Sequence, residues 1–213
     1  MERLLCIVIG YCFGCISPSY ILGKILRGID IRNYGSGNAG TTNTIRVLGG
    51  KTGVVTLILD ILKAVAAMAV CGWIYGFDAK NFMLWSGIGV ILGHNYPFYM
   101  QFRGGKGVAS TIGIIAMLDW RLFLGAGLPA LALVAITRYV SLGSLVFTLL
   151  SFIGGIVLYC RAAGGWEIIL LLGLLTASVF WRHRSNIGRL CHGTERKFGQ
   201  KETIKEEKKE ETV

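Results

Sequence analysis

GVASTIGIIAMLDWRLFLGAGLPALALVAIT, residues Gly107–Thr137, decides how many times this chain crosses a membrane. A crossing helix needs about 20 mostly apolar residues, and shorter ones are tolerated inside a bundle. The stretch is too long for one crossing and barely enough for two. Asp119-Trp120-Arg121 interrupts it, which predicts a tight hairpin between two short helices, Gly107–Leu118 and Leu122–Thr137. Working outward, apolar blocks predict further spans at Leu4–Leu26, Gly53–Tyr75, Asn81–Gly93, Tyr139–Tyr159 and Trp166–Trp181.

Loop charge then tests the count, because cytoplasmic loops collect Lys and Arg. Arg27, Arg32, Arg46 and Lys51 put the first long connection inside, and Arg103 with Lys106 return the chain there. If Gly107–Thr137 crossed once, the basic run Arg182–Lys197 would end outside, against the rule; two crossings put it inside. The expectation is an all-α, polytopic integral membrane protein of about seven transmembrane helices, with the N-terminus out and the C-terminus cytoplasmic.

Composition agrees. Of 213 residues, 53% are hydrophobic and 16% charged, against about 25% charged in a soluble domain. The mean hydropathy is +0.58. Six cysteines are too few for a disulfide scaffold. The 22 Lys+Arg outnumber the 12 Asp+Glu, and residues 1–200 hold 18 and 7 of them, an excess placed in short loops where it attracts anions. Residues 201–213, with four Lys and five Glu, are expected to be a charged, disordered cytoplasmic tail after a single membrane-embedded domain over 1–200. No cleavable leader is expected, since the first apolar block runs through Ser17-Pro18 into a basic loop without a small-residue cleavage pattern.

Three polar segments depart from ordinary loops. In the first, Tyr34–Asn43, Gly35, Gly37 and Gly40 spell Gly-x-Gly-x-x-Gly, and Asp60 lies twenty residues on. The dinucleotide reading fails, because Asp60 is inside an apolar span and no βαβ unit surrounds the motif. Gly50-Lys51-Thr52 similarly lacks the first P-loop glycine, Ile45 standing in its place. What remains is physical: closely spaced glycines expose backbone N–H groups as an anion nest, Ser36, Asn38, Thr41, Thr42 and Asn43 add donors, and Arg46 adds charge. A flexible turn at a helix end is the competing reading.

The second segment runs from Gly93-His94-Asn95 through Arg103-Gly104-Gly105-Lys106-Gly107 to Ser110-Thr111. Glycines and cations before a helix N-terminus suit phosphate. Tyr96–Phe102 reads as an interfacial aromatic belt. The third holds Arg182, His183, Asn186, Arg189 and Glu195. A positive-inside anchor explains its arginines but not His183 and Asn186. In the predicted topology all three share one membrane side, which favours a phosphate site, or two, at the cytoplasmic surface.

Other polar residues say less. Asp60 and Lys63, i,i+3 inside a span, are functional candidates or a structural pair. Cys12 and Cys15 form Cys-x-x-Cys in an apolar helix with no second pair and read as packing residues. The histidines lack metal-protease spacing, so no metal is expected.

Gly35–Asn43, Gly93–Gly107 and His183–Glu195 resemble the three signature segments of the bacterial acyl-phosphate:glycerol-3-phosphate acyltransferases (PlsY), and Ser17-Pro18 and Asp60-x-x-Lys63 are similar as well. The resemblance covers almost the whole chain except its tail. It implies an integral inner-membrane enzyme, without cofactor, that moves a fatty acyl group from acyl phosphate to the 1-hydroxyl of glycerol 3-phosphate. Lysophosphatidic acid and phosphate would be the products, in bacterial phospholipid synthesis. The His-x-x-x-x-Asp of other glycerolipid acyltransferases is absent: Tyr99, Gly188 and Lys197 stand five residues after the histidines. The expected partners are glycerol 3-phosphate, a long-chain acyl phosphate and the bilayer, with no nucleic acid; a monomer is a plausible state.

On this reading the catalytic residues are Ser36, Lys106, His183 and Asn186. Substrate and phosphate contacts are assigned to Gly35, Gly37, Asn38, Gly40, Thr41, Asn43, Arg46, His94, Asn95, Arg103, Gly104, Gly105, Gly107, Ser110, Arg189 and Glu195. Lys106, Gly104, Gly105 and Ser110 are placed on acyl phosphate, and Arg46, Ser36, Asn38, His183 and Asn186 on glycerol 3-phosphate, though the two phosphates could be exchanged. His183 is the only obvious general base, weakened by neighbouring arginines, and the departing phosphate is the alternative acceptor. Glu195 is expected to orient an arginine or cap the last helix. Two other classes stay open: an organophosphate transporter, disfavoured because the polar chemistry lies on one side, and a headgroup-binding scaffold, which leaves the Gly nests unexplained.

Overall fold

The computed structural model describes residues 1–199; the expected tail over 201–213 lies outside them. The described residues are built from ten α-helices: α1 Glu2–Cys15, α2 Pro18–Arg27, α3 Thr41–Leu48, α4 Gly50–Tyr75, α5 Lys80–Asn95, α6 Val108–Leu118, α7 Trp120–Thr137, α8 Val140–Tyr159, α9 Gly165–Arg182 and α10 Arg184–Cys191. Five stretches are long and apolar enough to cross a membrane: Glu2–Arg27, Gly50–Tyr75, Trp120–Thr137, Val140–Tyr159 and Gly165–Arg182. Trp73, Ile136, Val157 and Leu131 are exposed on the outer faces of their helices, as side chains facing lipid should be.

The first expected span, Leu4–Leu26, lies within one crossing stretch, Glu2–Arg27, but that stretch is broken into two helices. Ile16 is extended between them and Pro18 opens α2, because a proline has no N–H to continue the ladder and pushes the preceding residue out of the helical region. The interruption expected at Asp119-Trp120-Arg121 is present but shorter: Asp119 alone separates α6 from α7, and its carboxylate accepts from the Arg121 N–H as the N-cap of α7.

α1 packs against α5 along glycines spaced four apart. A Cβ on Gly10 would meet the Ser86 carbonyl, and one on Gly14 the Val90 carbonyl; Gly89 and Gly93 meet Ile7 and Tyr11 carbonyls in return. Without water to drive helices together, such close backbone approach supplies the van der Waals contact. The apolar core lies between α4, α5, α6, α7, α8 and α9, with Leu84, Val90, Ile114, Ile115, Leu171, Leu172 and Leu175 almost fully buried.

The first turns of α1, α5 and α9 meet at one pole. There the Glu167 carboxylate accepts from Arg3 (2.5 and 3.1 Å), Asn81 (2.8 Å) and Trp85 (2.7 Å). The same three helices therefore deliver their last residues, Cys15, Asn95 and Arg182, to the opposite pole, together with the starts of α6 and α8.

Candidate active site

At that opposite pole the three polar segments meet. Gly35 and Gly37 take φ of +63° and +70°, which a side chain would strain. Asn43, reaching back from α3, staples the loop: its Oδ1 accepts from the Ser36 N–H at 2.8 Å, and its Nδ2 donates to the Ile31 and Tyr34 carbonyls at 3.2 and 3.0 Å. Asn43 is thus engaged with the loop, while Ser36 is exposed and Asn38 half-buried. Gly40 precedes α3, whose first N–H groups have no helical partner.

The second loop is laid onto the end of α5. Gly104 N–H donates to the Asn95 carbonyl and Gly105 N–H to the His94 carbonyl, each at 3.0 Å. A Cβ on Gly105 would strike both the His94 ring and the Ala39 carbonyl, so only glycine lets the two loops touch. From the other side Arg182 donates to the Gly104 carbonyl at 3.1 Å and twice to the Gly105 carbonyl, at 3.0 and 2.7 Å. The loop's carbonyls are pinned outward to a guanidinium, a fork geometry that only arginine provides.

Lys106 follows this clamped pair and its ammonium meets the Asn186 side-chain oxygen. Asn186 donates to Glu195 Oε1 at 2.6 Å, Ser141 donates to the same oxygen at 2.8 Å, and Arg189 donates to Oε2 at 2.8 Å. Glu195 therefore orients an arginine, as expected, and an asparagine and a serine besides. Its hydrogen bonds from Asn186, Arg189 and Ser141 outweigh its burial and hold its pKa below the usual glutamate value.

Burial, reinforced by Arg189, Arg182 and Arg46 and opposed by Glu195, lowers Lys106 to about 8. Burial also lowers His183 to about 4, Lys106 adding to it and the hydrogen bond to Val179 opposing it. Arg182, one of the neighbouring arginines expected to weaken His183, adds less to this than burial and Lys106 do. His183 Nδ1 lies 2.8 Å from the Val179 carbonyl, which fixes the proton on Nδ1 and leaves Nε2 as the acceptor.

Not every assigned residue joins this cluster. Ser110 is fully buried and donates to the Asp60 main-chain carbonyl at 3.2 Å. Arg103 is exposed, and the carbonyl it contributes accepts from Arg32 at 3.3 Å. His94 is buried beside Lys63 and Asp60. Four buried oxygens, Thr41 Oγ1, Asp60 Oδ1, Ser86 Oγ and Asn95 Oδ1, have no hydrogen-bond partner among the described residues; Thr41 and Asn95 stand at the helix ends that border the two glycine loops. Ser141 and Arg182 were absent from the assigned set. Ser141 opens an apolar helix with no local signal of function, whereas Arg182 was visible only as one of several anchoring arginines.

Residues 4–193 match the family model described as glycerol-3-phosphate acyltransferase. The chain belongs to that family. Similar proteins include the glycerol-3-phosphate acyltransferases of Shouchella clausii, 44% identical over 92% of this chain and 95% of that one, and of Halalkalibacterium halodurans, 46% identical over 94% and 98%. The fold is similar to the crystal structure of PlsY (YgiH), described as an integral membrane glycerol 3-phosphate acyltransferase in its glycerol 3-phosphate form. That likeness has a TM-score of 0.84 at 34% identity, over 93% of this chain and 96% of that one. The lysophosphatidic acid form of the same protein matches with a TM-score of 0.81. This glycerol-3-phosphate acyltransferase is an integral membrane protein of phospholipid synthesis.

Proposed function

We propose that the enzyme transfers a fatty acyl group from acyl phosphate to the 1-hydroxyl of glycerol 3-phosphate, releasing lysophosphatidic acid and inorganic phosphate. One observation carries this reading: Lys106, seated behind two clamped glycines, meets Asn186 in a cluster fed by Arg189, Glu195 and Ser141. Cations and open N–H groups at α3 and the glycine loops suit two phosphates. The exposed apolar helix faces suit the acyl chain of one substrate.

The hydroxyl oxygen attacks the carbonyl carbon of the mixed anhydride. The bond from that carbon to the phosphate oxygen breaks, and phosphate leaves. His183 Nε2 can accept a hydrogen bond from the attacking hydroxyl, but a group titrating near 4 is a poor proton sink. The proton therefore departs on the phosphate, and the protein contributes positioning and charge. Lys106 and Arg46 hold phosphate charge, the Gly104 and Gly105 loop shapes its seat, and Asn186 with His183 orients the hydroxyl. Ser36 contributes from the first loop as a hydrogen-bonding group.

The chain makes seven crossings, α1 and α2 counting as one, with the N-terminus out and the C-terminus and active site cytoplasmic in a bacterial inner membrane. The alternation of helix ends supports this. Asp119, Tyr159 and Lys80, from the end of α6, the end of α8 and the start of α5, gather at one pole. The phosphate cluster collects the other ends, along with the basic loops. Residues 1–200 act as one catalytic domain.

The test is lysophosphatidic acid formation by purified protein given glycerol 3-phosphate with either palmitoyl phosphate or palmitoyl-CoA. Product from the acyl phosphate alone is expected. Product from the thioester alone, or from neither in folded protein, overturns the assignment.

A further inference from the structure

Behind the phosphate cluster lies a buried charged group that the reaction does not touch. Asp60, Lys63 and His94 are 1%, 6% and 4% exposed. Lys63 Nζ lies 2.7 Å from Asp60 Oδ1 and 2.9 Å from His94 Nδ1, and it donates to the Ile16 carbonyl at 2.7 Å and the Gly14 carbonyl at 3.2 Å.

The two carbonyls explain why a cation belongs here. In an uninterrupted helix the Gly14 carbonyl would accept from the N–H of residue 18, but residue 18 is Pro. Ile16 is already extended, so its carbonyl also lacks a helical partner. The break at Ser17-Pro18 thus offers two acceptors inside an apolar bundle, and the Lys63 ammonium occupies both. Asp60 neutralises it. A buried cation without such a partner would be costly.

The third neighbour has a consequence for the loop. The ammonium has three protons and no lone pair. Two protons go to the carbonyls and the third to His94 Nδ1, which must therefore accept, while Asp60 Oδ1 pairs with the ammonium by charge. The neutral imidazole then carries its proton on Nε2. That edge of the ring faces Gly105, at the contact of the two glycine loops, where a Cβ on Gly105 would strike both Nε2 and the Ala39 carbonyl. The same residue receives the Gly105 N–H on its carbonyl.

We propose that Asp60 and Lys63 are positioning residues, which fix His94 in its Nε2–H tautomer and thereby set the Gly104–Lys106 loop against the Ala39–Thr41 loop for phosphate. The brace joins the broken end of α1, α4, α5 and, through the Ser110 bond to the Asp60 carbonyl, α6. Its kinetic consequence rests on the acyl-transfer reading, whereas the tautomer does not.

The experiment is nitrogen NMR of protein labelled with ¹⁵N-histidine, with the His94 signals assigned by their loss in His94→Gln. Wild-type His94 is expected to show a protonated Nε2 and a lone pair on Nδ1; an Nδ1–H imidazole or an imidazolium overturns the brace. In Lys63→Met, Nδ1 loses its donor and has Asp60 Oδ1 3.4 Å away, so the proton is expected to move to Nδ1. An unchanged tautomer in folded Lys63→Met also overturns it. Kinetically, Lys63→Met is expected to raise KM for one phosphorylated substrate about tenfold, with kcat within about threefold of wild type. A lower active fraction with both KM values unchanged would mean a merely structural role. If Lys63→Met does not fold, the wild-type spectrum decides. If wild type forms no lysophosphatidic acid, the acyl-transfer reading falls while the tautomer still decides the brace.

Discussion

Arg182 Nη2 donates to the Gly105 carbonyl at 2.7 Å, so the last residue of α9 holds the loop that carries Lys106 in front of α6. The contact joins residues 77 positions apart, and it is a fork: Nε reaches the same oxygen while Nη2 also takes Gly104. Arg182→Ala is expected to lower kcat/KM by about a hundredfold, since misplacing a positioned group by an ångström can cost that much. Arg182→Lys should recover little of it, because an ammonium cannot span two carbonyls in this geometry. Wild-type kcat/KM in either folded variant would remove the clamp from the account.

Lys106 gives the pH dependence a sign. Its folded pKa is lowered from 10.5 to about 8, so the cation is complete well below pH 8 and is lost as pH rises through that value. kcat/KM, which reports the free enzyme, should therefore fall on an alkaline limb centred near 8. Lys106→Arg, cationic throughout, should abolish that limb whatever activity it retains. His183, lowered to about 4, should contribute no limb between pH 5 and 7. A pH series of initial rates in wild type and Lys106→Arg checks both statements.

Lys106→Ala and His183→Ala are expected to lose most activity, about a hundredfold or more, while inserting normally, because neither side chain supports the apolar core. Size-exclusion behaviour alongside lysophosphatidic acid yield separates the two effects, and near-normal turnover in both variants would sink the assignment.

Two glycines make a paired test. Gly105→Ala drives a methyl group into the Ala39 carbonyl and the His94 ring and should abolish activity. Gly188, exposed in the middle of α10, has nothing near its absent Cβ. Gly188→Ala should keep activity and gain about 0.5–1 kcal/mol of stability from helix propensity, read as a higher unfolding temperature in detergent.

Glu195→Gln keeps the shape and removes the charge that gathers Asn186, Arg189 and Ser141. With its acceptor weakened, Asn186 is less firmly aimed at Lys106. A tenfold or so loss in kcat/KM is expected, the scale on which supporting hydrogen-bond partners act, and progress curves with wild-type initial rates would contradict it.

The amino-acid sequence by itself determined the apolar blocks, the break near Asp119, the basic pole and the three polar segments. Each is a local property, set by side-chain transfer energy, by the φ of glycine or by the missing N–H of proline. It carried the family resemblance for the same reason, since the motifs are short and contiguous. It could not say that Leu4–Leu26 would break, although Pro18 marks the place, because an apolar run conceals a kink until something satisfies the freed carbonyls. Lys63, on another helix, does so. Nor could it say that Ser110 would face α4, that Ser141 would join Glu195, or that Lys106 would meet Asn186 eighty residues away. Those pairings depend on which helix ends share a pole and at what rotation, and that is decided only when glycine seams and buried side chains have packed.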